Sequence, residues 1–268
     1  MPIVQTSDKT DLYVKDWGNG RPVVLIHGWP LNADSWEHQA LALLEAGYRV
    51  VSYDRRGFGR SGQPTGGYDY DTMADDLASI MNALDLRDAT IVGFSMGGGE
   101  VARYIGRHGT QRLRSAALIS SVAPFMLKTD DNEGGVPEDV FVGMKDGIRK
   151  DRPAFFETFF KDFFGGDVSD ATRHWAWGMA MLASPKATLD CVDAFGRTDF
   201  REDVKKFDLP TLIVHGTGDE IVPIDTAGRA AAKLVPNATV EEYDGAPHGL
   251  TATHGDRLNT DLLAFLKG

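Results

Sequence analysis

Between residues 89 and 108 the chain runs Ala89-Thr90-Ile91-Val92, then Gly93-Phe94-Ser95-Met96-Gly97, then a helical pattern from about Gly98 to His108. A strand that becomes a helix within so short a span leaves no room for bulky neighbours at the turn. The two flanking glycines relieve that crowding. Ser95 is then pushed out of the sheet, with its hydroxyl exposed and a helix N-terminus just behind it. A hydroxyl is a weak nucleophile, so the turn has chemical meaning only with a base to take its proton and donors to hold an oxyanion.

The base and its orienting acid have candidates of the same form. Leu212-Ile213-Val214 is a short β-branched run that leads through His215-Gly216-Thr217-Gly218 to Asp219. Thr239-Val240-Glu241-Glu242-Tyr243 alternates like a strand and leads through Asp244-Gly245-Ala246-Pro247 to His248. Ligands of open parallel sheets gather at the carboxyl ends of strands, and all three residues fall there. Alone, Asp219 reads as a turn residue and His248 as a loop histidine. His254, the nearest rival base, lies where the last helix is about to start and suits a capping role. The order Ser95, Asp219, His248 is the order of the α/β-hydrolase triad, against the two other orders known for serine proteases.

Pro22-Val23-Val24-Leu25-Ile26 is an uninterrupted apolar run suited to a strand buried on both faces. It ends in His27-Gly28-Trp29-Pro30. One oxyanion donor is expected from the backbone N–H after the nucleophile, Met96, and the other from this loop, at the N–H of Trp29. Backbone donors leave the side chains free, so Trp29 is expected to line the acyl site. The residue before a proline is pushed toward extended geometry. Pro30 therefore either fixes the direction of the Trp29 carbonyl toward a small nucleophile such as hydrogen peroxide, or simply stiffens the loop.

Phe94-Ser95-Met96-Gly97-Gly98-Gly99, Tyr53-Asp54-Arg55-Arg56-Gly57-Phe58-Gly59-Arg60-Ser61 and Ala246-Pro247-His248-Gly249 together resemble the cofactor-free bacterial haloperoxidases, or perhydrolases, and their arylesterase relatives. The likeness extends to Val222-Pro223 and to the terminal Asp261-Leu262-Leu263-Ala264-Phe265-Leu266. It implies Ser95 as nucleophile, His248 as base, Asp219 as orienter, and Trp29 and Met96 as oxyanion donors. It implies hydrolysis of small esters and perhydrolysis, in which a carboxylic acid and peroxide give a peracid that oxidises halide without metal or haem. Family perhydrolases often carry proline after the oxyanion tryptophan, as Pro30 does here. A lactamase, another amide or carbon–carbon hydrolase, and a receptor that keeps the triad would share these motifs. A dehalogenase or epoxide hydrolase usually carries a carboxylate at the position of Ser95.

A formal net charge of −11 disfavours nucleic acid and anionic membranes as partners. The expected partners are a small ester, or a carboxylic acid with peroxide, with a homo-oligomer left open. No cofactor and no metal is expected: no H-E-x-x-H or cysteine cluster occurs, and Asp130-Asp131-Asn132-Glu133 lacks the spacing of a calcium loop. The single cysteine, Cys191, lies in a helical pattern and reads as a small core residue. No leader and no apolar run of membrane-spanning length is visible, so a cytoplasmic location is expected.

Length permits one large domain. Ile3-Val4 and Leu12-Tyr13-Val14 read as an antiparallel hairpin, after which strands alternate with helices near 35–45, 70–84 and 98–108 and a last helix from about 256 to 266. Alternation argues a mainly parallel sheet, here of eight strands, with helices on both faces. The expected division is a catalytic core of residues 1–122 and 208–268, with 123–207 inserted as a helical cap. That insert repeats Phe155-Phe156, Phe159-Phe160 and Phe163-Phe164, enough for one face on the core and another on a pocket. Phe94, Phe125, Phe159, Ile221 and Val222, with Trp29 and Pro30, are the expected pocket residues. Gly57-Phe58-Gly59-Arg60-Ser61-Gly62 spells a dinucleotide fingerprint, but Gln63-Pro64 follows where a helix should open. It is assigned to a tight loop, with Asp54 and Arg55 structural.

Overall fold

The computed structural model describes residues 2–166 and 168–268. Strands β1 (Ile3–Gln5) and β2 (Asp11–Trp17) form the opening hairpin, and β2 also runs antiparallel to β4 (Arg49–Tyr53). The rest is parallel: β3 (Pro22–Ile26), β5 (Ala89–Phe94), β6 (Leu113–Ile119), β7 (Thr211–Gly216) and β8 (Ala238–Tyr243). The eight-stranded sheet has the order β1-β2-β4-β3-β5-β6-β7-β8. This is the expected α/β-hydrolase architecture, a mainly parallel eight-stranded sheet alternating with helices. The apolar run 22–26 lies between β4 and β5, where helices cover both faces. The charged, alternating β8 is the edge strand, with Glu242 paired to Arg229 at 2.6 Å.

A 3₁₀ turn (Ala33–Trp36) leads into α1 (Glu37–Glu45). Helix α2 (Tyr70–Ala83) starts where the Asp69 carboxylate accepts the Thr72 N–H at 2.9 Å, the usual way of satisfying a first-turn donor. Helix α3 spans Met96–His108, so it opens two positions before the expected Gly98. Glycine tolerates that start because the first turn is pressed against the sheet. A Cβ built on Gly97 would sit 2.3 Å from the Ile26 carbonyl oxygen, and one on Gly93 2.3 Å from the Gly97 oxygen.

Among the described residues, 123–207 add no strand to the sheet. They carry α4 (Glu138–Phe164), α5 (Asp170–Leu182), α6 (Pro185–Arg197) and α7 (Arg201–Val204). Helix α4 is two helices in line, broken at Asp151 (φ −159°, ψ 88°). The Asp151 carboxylate caps the second half by accepting the Ala154 N–H at 3.0 Å, and Pro153 falls in that first turn, where no donor is needed. Two short helices flank the last crossing, α8 (Gly228–Leu234) and α9 (Leu250–Thr253), before α10 (Gly255–Lys267). Cys191 is fully buried on α6, and burial pushes its thiol up to about 12. Among the described residues no helix is long and apolar enough to cross a membrane, and no group of three His, Cys, Asp or Glu could hold a metal ion.

The clearance at Gly97 generates a stability prediction. Gly97→Ala forces a Cβ into main chain that cannot rotate away, so unfolding in urea should lose about 3 kcal/mol. A denaturation midpoint equal to that of the parent protein would contradict the close approach.

Candidate active site

Ser95 sits between β5 and α3 at φ 54°, ψ −119°, a region that costs a non-glycine residue about 1–3 kcal/mol. Main-chain bonds hold it there. Its N–H donates to the Ile119 carbonyl at 2.8 Å, and its carbonyl accepts from Gly98 at 2.9 Å and Val122 at 3.2 Å. The turn is thus tied to β6 as well as to α3.

The loops after β7 and β8 bring the other two residues to it. His248 Nε2 lies 2.9 Å from Ser95 Oγ, and His248 Nδ1 lies 2.7 Å from Asp219 Oδ2. If Nδ1 carries the proton and donates it to the carboxylate, Nε2 is left with a lone pair facing the hydroxyl. The ring is fixed from its faces as well: Phe94 lies 5.2 Å away, tilted, and Phe163 5.1 Å away, edge-on.

Asp219 is closely held. Oδ1 accepts the N–H groups of Ile221 at 3.0 Å and Val222 at 2.8 Å. Burial works to raise its pKa, but the charge of His248 and hydrogen bonds from His215 and His248 outweigh it, so the carboxyl stays well below the usual range. In the sequence His215 stands only as part of the approach to Asp219. Its Nε2 lies 2.8 Å from the Val222 carbonyl and 3.3 Å from Asp219 Oδ2, so it braces the acid loop from below. The signal available was the spacing of four residues between His215 and Asp219. His254 is elsewhere, at the junction of α9 and α10, with its ring 6.0 Å from Tyr243.

The loop after β3 places Trp29 beside Ser95, and neither the Trp29 nor the Met96 N–H has a hydrogen-bond partner among the described residues. The Trp29 indole N–H donates to the Thr188 carbonyl of α6 at 3.1 Å. The Met96 carbonyl accepts from the Tyr70 hydroxyl at 3.0 Å. A buried network spans from the loop after β3 to helix α3. Arg55 binds Glu100 of α3 through Nε at 2.7 Å and the His27 carbonyl through an Nη at 2.8 Å. Its backbone N–H donates to His27 Nε2 at 3.0 Å, while His27 Nδ1 faces the Gly28 carbonyl at 2.9 Å. The Tyr53 hydroxyl donates to the second Glu100 oxygen. Asp54 accepts Ala33 N–H at 2.9 Å and two bonds from the Arg60 side chain. The loop from Gly57 to Gly62 is closed on itself by Gly57 N–H to the Gly62 carbonyl at 2.8 Å.

A cavity of about 50 Å³ opens onto Ser95 and His248. That is room for a few heavy atoms. Trp29, Phe159, Ile221 and Val222 line it as expected. Pro30, Phe94 and Phe125 do not. Phe94 turns beneath the His248 ring and also meets Trp36 and Phe163. Phe125 lies under the Arg201 guanidinium, 5.2 Å from ring to cation, while its neighbour Met126 faces the cavity. Val140, Phe141 and Met144 of α4 also line it and were not anticipated. Their spacing of one to four residues marks a helical face, but a sequence does not say whether such a face meets a core or a void. Among the described residues that line it, His248 is the one with an acidic or basic side chain. A larger, open groove of about 800 Å³ between α4 and α5 includes none of Ser95, Asp219 and His248.

Residues 21–254 match the family described as alpha/beta hydrolase fold. The chain is 50% identical to a non-heme chloroperoxidase of Kitasatospora aureofaciens, over 99% of each protein. It is 41% identical to a bifunctional esterase/perhydrolase of Acinetobacter calcoaceticus, over the whole of both. The crystal structure of a bromoperoxidase from Bacillus anthracis superposes with a TM-score of 0.97 at 46% identity, covering 100% of this chain and 99% of that one.

His27 gives a measurable pH effect. Burial first, then the Arg55 charge, hold its imidazole well below the ordinary range, so it is neutral when folded. A histidine with a depressed folded pKa takes up its proton on unfolding. Its contribution to stability is complete above about 6.5 and shrinks as pH falls below that, by up to about 1.4 kcal/mol per pH unit. Between pH 7.5 and 5.5 the parent protein should therefore lose about 1.4 kcal/mol more unfolding free energy than His27→Asn. Equal losses in the two proteins would show that His27 does not titrate as described.

Proposed function

The chain belongs to the α/β-hydrolase family, and from that premise we propose that it is a serine carboxylesterase of the arylesterase type that also performs perhydrolysis. The observation that carries this reading is the unbroken contact from Ser95 Oγ through His248 to Asp219, opening onto a small uncharged cavity.

In the proposed reaction Ser95 Oγ attacks the ester carbonyl while His248 Nε2 takes its proton. The N–H groups of Trp29 and Met96 receive the oxyanion, and the absence of any competing partner for either donor supports that role. Their orientation is set before substrate arrives, which is what makes such donors effective. His248 then protonates the leaving alcohol. Asp219 keeps the Nδ1 proton in place and stabilises the transient imidazolium without taking the proton. In deacylation the same base deprotonates water, giving the acid, or hydrogen peroxide, giving the peracid. A peracid in solution oxidises halide by transferring its terminal oxygen, so the names of the relatives and the hydrolytic triad describe one chemistry.

The cavity supports a short, neutral acyl group, since it holds a few heavy atoms and offers no cation to a second carboxylate. We read residues 123–207 as a cap, because Phe159, Phe141 and Met144 close the cavity from that segment.

Replacing the nucleophile tests the reading. Ser95→Ala should lower kcat for phenyl acetate, and for peracid formation from acetate and hydrogen peroxide, by about 10³-fold or more, with an unchanged far-UV circular dichroism spectrum. Retention of either activity in the folded variant would refute the assignment.

A further inference from the structure

We propose that Met126 and Met144 are the sites at which the enzyme is oxidised by its own peracid, and that this modification ends turnover from inside the cavity. The inference rests on the perhydrolase reading above.

The same wall that bounds the acyl site carries two thioethers. Met126 and Met144 both line the cavity with Ser95 and His248. Met126 is only 3% exposed to bulk solvent, so the cavity is its route to an oxidant. The other methionines in the described chain are placed differently. Met73, Met81 and Met96 are fully buried in the core, Met179 is buried on α5, and Met181 is partly exposed on α5, away from the cavity.

A peracid is an electrophilic oxidant, and a thioether sulfur is a soft nucleophile that yields the sulfoxide. The sulfur lone pair attacks the terminal peroxy oxygen. A sulfur–oxygen bond forms, the oxygen–oxygen bond breaks, and the peracid hydrogen ends on the carboxylic acid that departs. Sulfur is oxidised, the peroxide is reduced, and no further reactant is needed. Each peracid leaves Ser95 within this wall, so the local dose scales with turnover rather than with the concentration outside.

The product changes the site. A sulfoxide oxygen is a strong hydrogen-bond acceptor set among Val122, Val136, Val140 and Phe159. Among the lining side chains the donor left to it is the Ser95 hydroxyl, because the Trp29 indole N–H is committed to Thr188 and the His248 Nδ1 proton to Asp219. An oxygen that accepts the Ser95 hydroxyl draws it away from His248 Nε2, and it fills part of a cavity of about 50 Å³.

The experiment follows parent enzyme and Ser95→Ala in acetate and hydrogen peroxide, with free peracid read by oxidation of methyl p-tolyl sulfide. Peptide mass spectrometry scores a gain of about 16 Da at every methionine. The proposal expects Met126 and Met144 to be modified about fivefold faster than Met181 in the parent enzyme, and no faster than with peroxide alone in Ser95→Ala. Peracid production with Met181 modified first, or with Met126 and Met144 intact, overturns the inference and leaves the perhydrolase reading standing. No peracid at all overturns both. A second measurement bears on the consequence. Met126→Leu/Met144→Leu, scored against its own starting rate, should complete about threefold more turnovers before half that rate is lost. An unchanged number would place the damage elsewhere.

Discussion

Everything at the site depends on one strained turn, Ser95 at positive φ between β5 and α3. The strain is local, but what holds it is not. Main chain of β6 grips Ser95 from one side, and the first turn of α3 lies so close to β3 that only glycine fits at 97. Moving either contact would let the serine relax toward an ordinary conformation and turn its hydroxyl away from His248. The same geometry frees the Met96 N–H, because the first donors of a helix have no partner within it. On the proposed mechanism, nucleophile direction and oxyanion donor are therefore two consequences of one backbone conformation.

The proposed second donor, the Trp29 N–H, belongs to a different loop, and the distance between the two must be fixed by something stiffer than loop contacts. The buried Arg55–Glu100 pair supplies it. Glu100 stands on the helix that begins with Met96, and Arg55 grips His27, two residues before Trp29. Burying such a pair brings little net stability, since desolvation offsets most of the attraction. Its value lies in geometry: two loops that could drift independently are referred to one guanidinium. Keeping His27 neutral belongs to the same arrangement. A charged imidazole beside Arg55 would push the donor loop away from α3.

What could be read in the sequence follows from how local each signal is. The turn at Ser95, the loops carrying Asp219 and His248, and the strand ending at Ile26 each sit in a few consecutive residues whose backbone demands show in their composition. Placing strand ends together then requires only that the sheet be parallel. The cavity is different. Phe125 and Met126 are neighbours in one loop, and which of them faces the void depends on Arg201 lying over the Phe125 ring, a contact spanning many residues. Phe94 looked like a pocket wall because it precedes Ser95, but strand alternation sends it beneath the base. The break at Asp151 has a local signal, a capping Asp151 with Pro153 two residues on, but reading 123–207 as one helical insert does not divide it into helices.

On the proposed mechanism, the doubled phenylalanines of α4 tie acyl room to base orientation. Phe163 meets the His248 ring edge-on, while Phe159 meets Trp29 and lines the cavity. The two lie four residues apart, on one face and 5.6 Å from each other. Sliding or tilting this half-helix to enlarge the cavity would also shift the ring that holds the imidazole. Asp219 fixes only the Nδ1 end of His248, so the edge contact with Phe163 limits rotation about that bond. A broader acyl range obtained by moving the whole segment would therefore loosen the base, whereas one obtained by trimming Phe159 alone would not. The separation of these two phenylalanines, one for the substrate and one for the base, is what lets a single helix face serve both without making either depend on the size of the other.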